Sequence, residues 1–209
     1  MGNYLDSLED IKKYLPKFLS PASDAQLYEG IDQFVSNGSF SSLYWSTLEP
    51  RLFQGDGLRG LLFSNFPSLE IKTALGMVVS NTCDVSLENT RQIPPPMCYA
   101  LTVKLNSYIH LLKSHMPPEE KREEKIESHL RAIKTQRITT IFFLPKEDQL
   151  EEDCLVFFDR ISHCDAKSVP DIADKRFFSL NNFGFYLFLV KLSIHFTRVK
   201  DGVDRTGFA

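Results

Sequence analysis

Positive charge is what this chain has least to spare: 24 Lys and Arg stand against 27 Asp and Glu, a formal net charge of −3. The basic excess that marks a dedicated nucleic-acid binder is therefore missing, although a local basic patch can sit on a neutral protein. Cysteine is sparse too, with four thiols at Cys83, Cys98, Cys154 and Cys164. They are too scattered for a disulfide framework and fit reduced thiols in a cytosol. The opening MGNYLDSLEDIKKYL carries acidic residues where a secretory leader needs a basic and then an apolar run, so a cytoplasmic location is expected. The longest apolar run, Phe183 to Val190, is too short to span a bilayer and contains a glycine. No phosphate loop, dinucleotide fingerprint, nucleophile elbow, His-Glu-x-x-His or paired CxxC occurs, and no cofactor is expected. The trio Cys83, Cys154 and Cys164 with His163 has no standard zinc spacing, so no metal site is expected.

What the sequence has in quantity is phenylalanine, seventeen residues against a single Trp, which argues for a packed interior and against disorder. Residues 3–19 and the segment after Ser20-Pro21, with Leu27, Ile31, Phe34 and Val35 on one face, predict an N-terminal helical layer over 1–45. A β-rich core over 46–200 follows. Short apolar runs at Leu58–Phe63, Gly76–Ser80, Cys98–Leu105, Ile138–Leu144 and Cys154–Ile161 read as five strands. In the third, Tyr99, Leu101, Val103 and Leu105 alternate with Ala100, Thr102 and Lys104, the period of a half-buried strand. A helical insertion is expected over 106–134, whose second part is a largely solvated surface helix with Ile126, Leu130 and Ile133 on one stripe. A final helix over 180–199 is capped by Ser179 or Asn181, with Phe185, Leu189, Leu192 and Phe196 on one apolar stripe that Leu187, Phe188 and Ile194 broaden, so burial on more than one side is expected. Residues 201–209 read as a flexible tail.

The most distinctive text is GMVVSNTCDV, residues 76–85, where a buried strand runs into polar side chains at a sheet rim. Two readings stand side by side. In one, Cys83 is a nucleophile or Asp84 a general base. In the other, Cys83 is a small buried residue while Asn81 and Asp84 hydrogen-bond the turn. Basic residues beside aromatics at Arg51-Leu-Phe53, Lys175-Arg176-Phe177-Phe178 and Arg198/Lys200/Arg205 suit either RNA stacking or a plain barrel rim.

The order of QGD (54–56), GMVVSNTCD (76–84), TTIFFLP (139–145), VFFDRIS (156–162) and SLNNFG with FLVKLSIHFTR resembles an uncharacterised group of prokaryotic and phage proteins found near mobile elements and defence genes. More distantly, it is similar to the MazF/PemK toxin family, on Ser80-Asn81, Thr102, Asp159-Arg160-Ile161 and Ser179-Leu180. The resemblance implies an α+β fold: a small SH3-like, MazF/PemK-type antiparallel β-barrel bearing the helical additions. It also implies a defence or toxin–antitoxin setting and, by similarity, a metal-independent endoribonuclease. Its catalytic set would be Thr102, Lys72 or Arg59, and Asp84, because Lys72 stands where the family carries an arginine. Binding would fall to Asn81, Thr82, Cys83, Asp56 and Arg51. The other reading keeps the fold without the chemistry, as a non-catalytic adaptor whose helical additions dock a protein partner from the same operon, with RNA as the alternative partner.

Overall fold

The computed structural model describes residues 42–197, apart from 66, 87, 89, 94, 119, 120, 170 and 173, together with Glu29. The two helices expected over 3–36 and the tail over 201–209 lie outside the described residues. Leu43 and Tyr44, assigned by sequence to a separate N-terminal layer, pack instead into the main core.

Six strands form one antiparallel sheet: β1 (Gly57–Ser64), β2 (Ile71–Val78), β3 (Met97–Lys104), β4 (Ile141–Leu144), β5 (Cys154–Cys164) and β6 (Arg176–Phe178). Their order across the sheet is β4-β5-β3-β2-β1-β6. Short connections join β1 to β2 and β4 to β5, as antiparallel pairing permits, whereas residues 105–140, with two helices, carry the chain from β3 to β4. The helices are a single turn α1 (Thr82–Val85), α2 (Leu105–His115), α3 (Arg122–Lys134) and α4 (Asn182–Thr197). Four of the five expected strands fall within three residues of their predicted limits. The second begins five residues earlier, at Ile71, because its first half is largely exposed and mixes Ile71 and Ala74 with Lys72 and Thr73, which gives no continuous apolar run. The sixth, β6, is three residues of a basic-aromatic run that read as rim dressing, and all three are buried.

The sheet is curved, with β1 touching β5 across two intervening strands. Two departures from regular pairing accompany the bend. The β1–β2 register shifts between Leu58 and Leu61, where Gly60 takes φ +72°, and the β3–β5 register shifts between Ala100 and Leu101. Such bulges kink a strand and increase its twist. Among the described residues, edge strands β4 and β6 do not pair with each other, so what is seen is a strongly bent sheet.

One face carries α4. Met77, Ala100, Phe142, Leu144, Val156 and Phe158 pack there against Phe183, Leu187, Phe188, Val190 and Ile194. The opposite face is covered in two parts. Helices α2 and α3 lie over Ile141, Phe143 and Leu155 through Leu105, Leu130 and Ile133. Val85, Val169 and Ile172 close over Leu58, Leu61, Val78 and Tyr99. Strand β3 is thus buried on both faces, which corrects the half-buried expectation: Ala100 and Thr102 are as enclosed as Tyr99. The α4 stripe is also corrected. Phe183, Leu187, Val190, Lys191 and Ile194 face the core, whereas Phe185, Leu189 and Leu192 are half-buried and Phe196 is exposed. A helix apolar on nearly every side leaves its periodicity unable to choose a face.

Candidate functional site

The QGD turn, residues 54–56, is built by its own side chains. Gly55 has φ +92°, a backbone state that L side chains rarely adopt. Asp56 is fully buried, and its Oδ2 accepts from the Phe53 amide at 2.8 Å and from the Arg176 guanidinium at 3.0 Å. Burial lifts the Asp56 carboxyl above its usual value, against the Ser179 hydroxyl, the Phe53 amide and Arg176, which lower it. Arg176 also donates to the Arg51 carbonyl at 2.5 Å, so one buried cation joins β6 to both sides of the turn. Arg176, which the sequence left open to RNA stacking or a barrel rim, is therefore spent inside the fold. Gln54 reaches the strand end, donating from Nε2 to Val79 O at 2.8 Å and from its backbone amide to Thr82 Oγ1 at 3.1 Å.

The strand end itself becomes α1. Asn81 Oδ1 accepts from the Cys83 amide at 3.0 Å, which caps that turn. Asn81 and Cys83 are exposed and Thr82 is half-buried, so the 81–84 segment does lie at the rim of the sheet. Asp84 is held by Arg91 at 2.6 Å.

The sequence-derived catalytic set does not come together. Thr102 is buried and pairs with Leu75 and Val156 on the face that carries α4, and its Oγ1 has no hydrogen-bond partner among the described residues. Lys72 lies three residues before Leu75 on β2, so the two-residue period of a strand sends it to the other face. There it pairs in register with Phe63, is exposed, and meets Glu70 at 3.0 Å. Arg59 sits in the β1 bulge with its guanidinium 4.6 Å from the Phe177 ring centroid. Arg51 is exposed and lies 3.8 Å from Glu88. Spacing along the chain had brought Thr102 and Lys72 into one set; sheet pleat separates them. The four considered metal ligands also stay apart, since Cys154 and Cys164 terminate opposite ends of β5, on the order of 30 Å at strand rise. Burial pushes the Cys154 thiol up to about 12. Among the described residues no group of three or more His, Cys, Asp or Glu is placed to hold a metal ion.

What the fold does assemble beside the QGD turn is a cleft of about 450 Å³ that sequence reading did not find. Its apolar lining comes from Leu180 and the aromatic Trp45, Phe53, Phe185 and Tyr186, and its polar lining includes Gln54, Thr82 and Glu49. Each wall is fixed. Tyr44 forms a β-bridge with Leu180, and the Trp45 amide donates to Ser179 O at 3.0 Å. Asn181 caps α4, its Oδ1 accepting from Gly184 N at 2.9 Å and its carbonyl from Phe185 N at 2.8 Å, which sets Phe185 and Tyr186 on the first turn. Phe53 hangs from the Asp56 carboxylate. A size of this order and a mostly apolar lining with a few polar groups are the usual attributes of a ligand site. Two signals were legible in hindsight: the lone Trp in a polar stretch, and a Phe-Tyr pair at a helix start. The first falls within the expected N-terminal helical layer over 1–45 and the second within the expected final helix over 180–199.

No protein-family model matches the chain, and no curated protein matches it. Among the described residues no helix is long and apolar enough to cross a membrane.

Proposed function

We propose that the chain is a non-catalytic binding module, of a MazF/PemK-like kind belonging to toxin–antitoxin or antiphage-defence biology, whose partner is a protein encoded beside it. The observation that carries this reading is the separation of Thr102 from Lys72 across the sheet. Metal-independent RNA cleavage needs a cation and a proton-handling group within hydrogen-bond reach of one phosphate. Here the hydroxyl is enclosed under α4 while the cation is in solvent on the far side. The QGD turn and the strand end also have a structural account: Asp56 pairs with Arg176, Gln54 ties the turn to the strand end, and Asn81 caps α1.

The test has two arms. Purified protein incubated with single-stranded RNA of varied sequence in EDTA is expected to leave it intact. Cleavage yielding 2′,3′-cyclic phosphate ends, lost in Thr102→Ala, would overturn the reading in favour of the endoribonuclease. In the second arm, the product of the adjacent gene co-expressed with the chain is expected to co-elute with it on size exclusion. Separate elution of the two removes the operon partner.

A further inference from the structure

We infer that the cleft between Trp45 and the first turn of α4 receives a methylated ammonium group. This rests on the binding-module reading and names the chemistry by which a partner would be recognised. Four aromatic side chains, Trp45, Phe53, Phe185 and Tyr186, line one cleft, and Phe185 and Tyr186 stand with ring centroids 5.4 Å apart at 54°. Aromatic faces carry negative potential and attract cations, most strongly where water is displaced. The single charged residue of the lining is Glu49, and no Lys, Arg or His contributes to it. An anion would find no cation in this lining, whose other polar groups are neutral. The Gln54 amide group already donates to Val79 O, and the Gln54 backbone amide to Thr82 Oγ1. Arg51 belongs to the adjoining cleft, where Glu88 faces it at 3.8 Å.

Methylation follows from what the rings offer. A bare ammonium is compact and strongly hydrated, and against that hydration the lining sets one carboxylate, Glu49, and the neutral groups of Thr47, Gln54, Ser179 and Asn182. A methylated ammonium keeps the charge, loses the donors and presents apolar surface to the rings. The walls need little reorganisation to receive it, since the Tyr44–Leu180 bridge, the Asn181 cap and the Phe53–Asp56 bond hold them in place before any ligand arrives.

The chain's one Trp lies in the cleft, so its fluorescence reports occupancy without a label. Choline is expected to give a saturable change. Its neutral carbon isostere, 3,3-dimethylbutan-1-ol, should bind about tenfold more weakly, the ratio that a desolvated cation–π contribution supplies. Glu49→Gln, at an exposed position, should weaken choline and leave the isostere unchanged. Tyr186→Ala should weaken choline while the melting transition persists. Equal binding of choline and the isostere, or no saturation by choline at millimolar concentration, overturns the inference. A trimethyllysine peptide binding more tightly than choline places the group on a protein partner. Choline binding more tightly than the peptide keeps the cation site and instead removes the protein-binding reading on which it was built.

Discussion

Lys191 is placed where a charge is costly. Its side chain is fully buried in α4 and donates from Nζ to the carbonyls of Gln136 and Ile138, both at 2.8 Å. Burial holds its pKa well below the usual lysine value. Between that lowered value and the unfolded value of about 10.4, the unfolded chain binds a proton that the folded chain does not, so this group's contribution to stability rises with pH. Cys154 works the other way, its folded thiol staying protonated to about 12 while the unfolded thiol ionises. The difference between wild type and Lys191→Met cancels that opposing effect. Urea melts across pH 7 to about 10 should show the difference moving in favour of wild type by at most about 1.4 kcal/mol per pH unit. A pH-independent difference would mean that Lys191 titrates as if exposed. Gly57 sets a steric limit of similar sharpness. A Cβ there would enter the Phe178 ring, so Gly57→Ala should lower stability by about 1–3 kcal/mol, measurable by the same melts.

The elements are joined by a few decisive contacts. Strand β6 is only three residues long, and the Asp56–Arg176 pair at 3.0 Å fastens it to the QGD turn, with both side chains withdrawn from solvent. Removing one partner strands the other charge, so Asp56→Ala or Arg176→Ala alone should cost about 3–5 kcal/mol. The joint change Asp56→Leu with Arg176→Met should recover most of that loss. If the double variant is no better than the singles, the pair acts through the Phe53 and Arg51 backbone bonds and not through its charges. Helix α3 proves to be more than a solvated addition. Its outer face is charged, yet Ile126 and Ile133 are buried, and Ile133 seals Ile141, Phe143 and Leu155. Ile133→Ala should therefore destabilise by about 2–5 kcal/mol. Gln136 follows with φ +58°, and its side chain both donates to and accepts from the Phe143 backbone, so the α3–β4 connection is clamped along the edge of the sheet.

Taken together, the molecule is a bent antiparallel sheet clad by helices on both faces, and the cladding decides what the strand ends can do. The strand periods were readable because β-branched and aromatic runs bounded by Gly and Pro carry their own signal, and so were α2, α3 and α4. Burial was less readable. Thr102 and Ala100 looked solvent-facing because alternation assumes one wet face, and the sheet has none at β3. Likewise, Thr102 and Lys72 formed a plausible pair in one dimension, and a pleat of two residues put them on opposite faces. Asn81 and Thr82 at the rim were legible, since polar residues directly after an apolar strand have nowhere else to go.

Composition and pattern dictated the mixed α+β class, most strand positions and the absence of a bilayer-length apolar run, because these depend on neighbours a few residues away. Which face each side chain took, which charges met in the dark and which rings came to share one cleft required residues 45, 53 and 186 to be brought side by side. Contacts at such separation are chosen by the packing of the whole sheet against α4, a quantity that no local window contains.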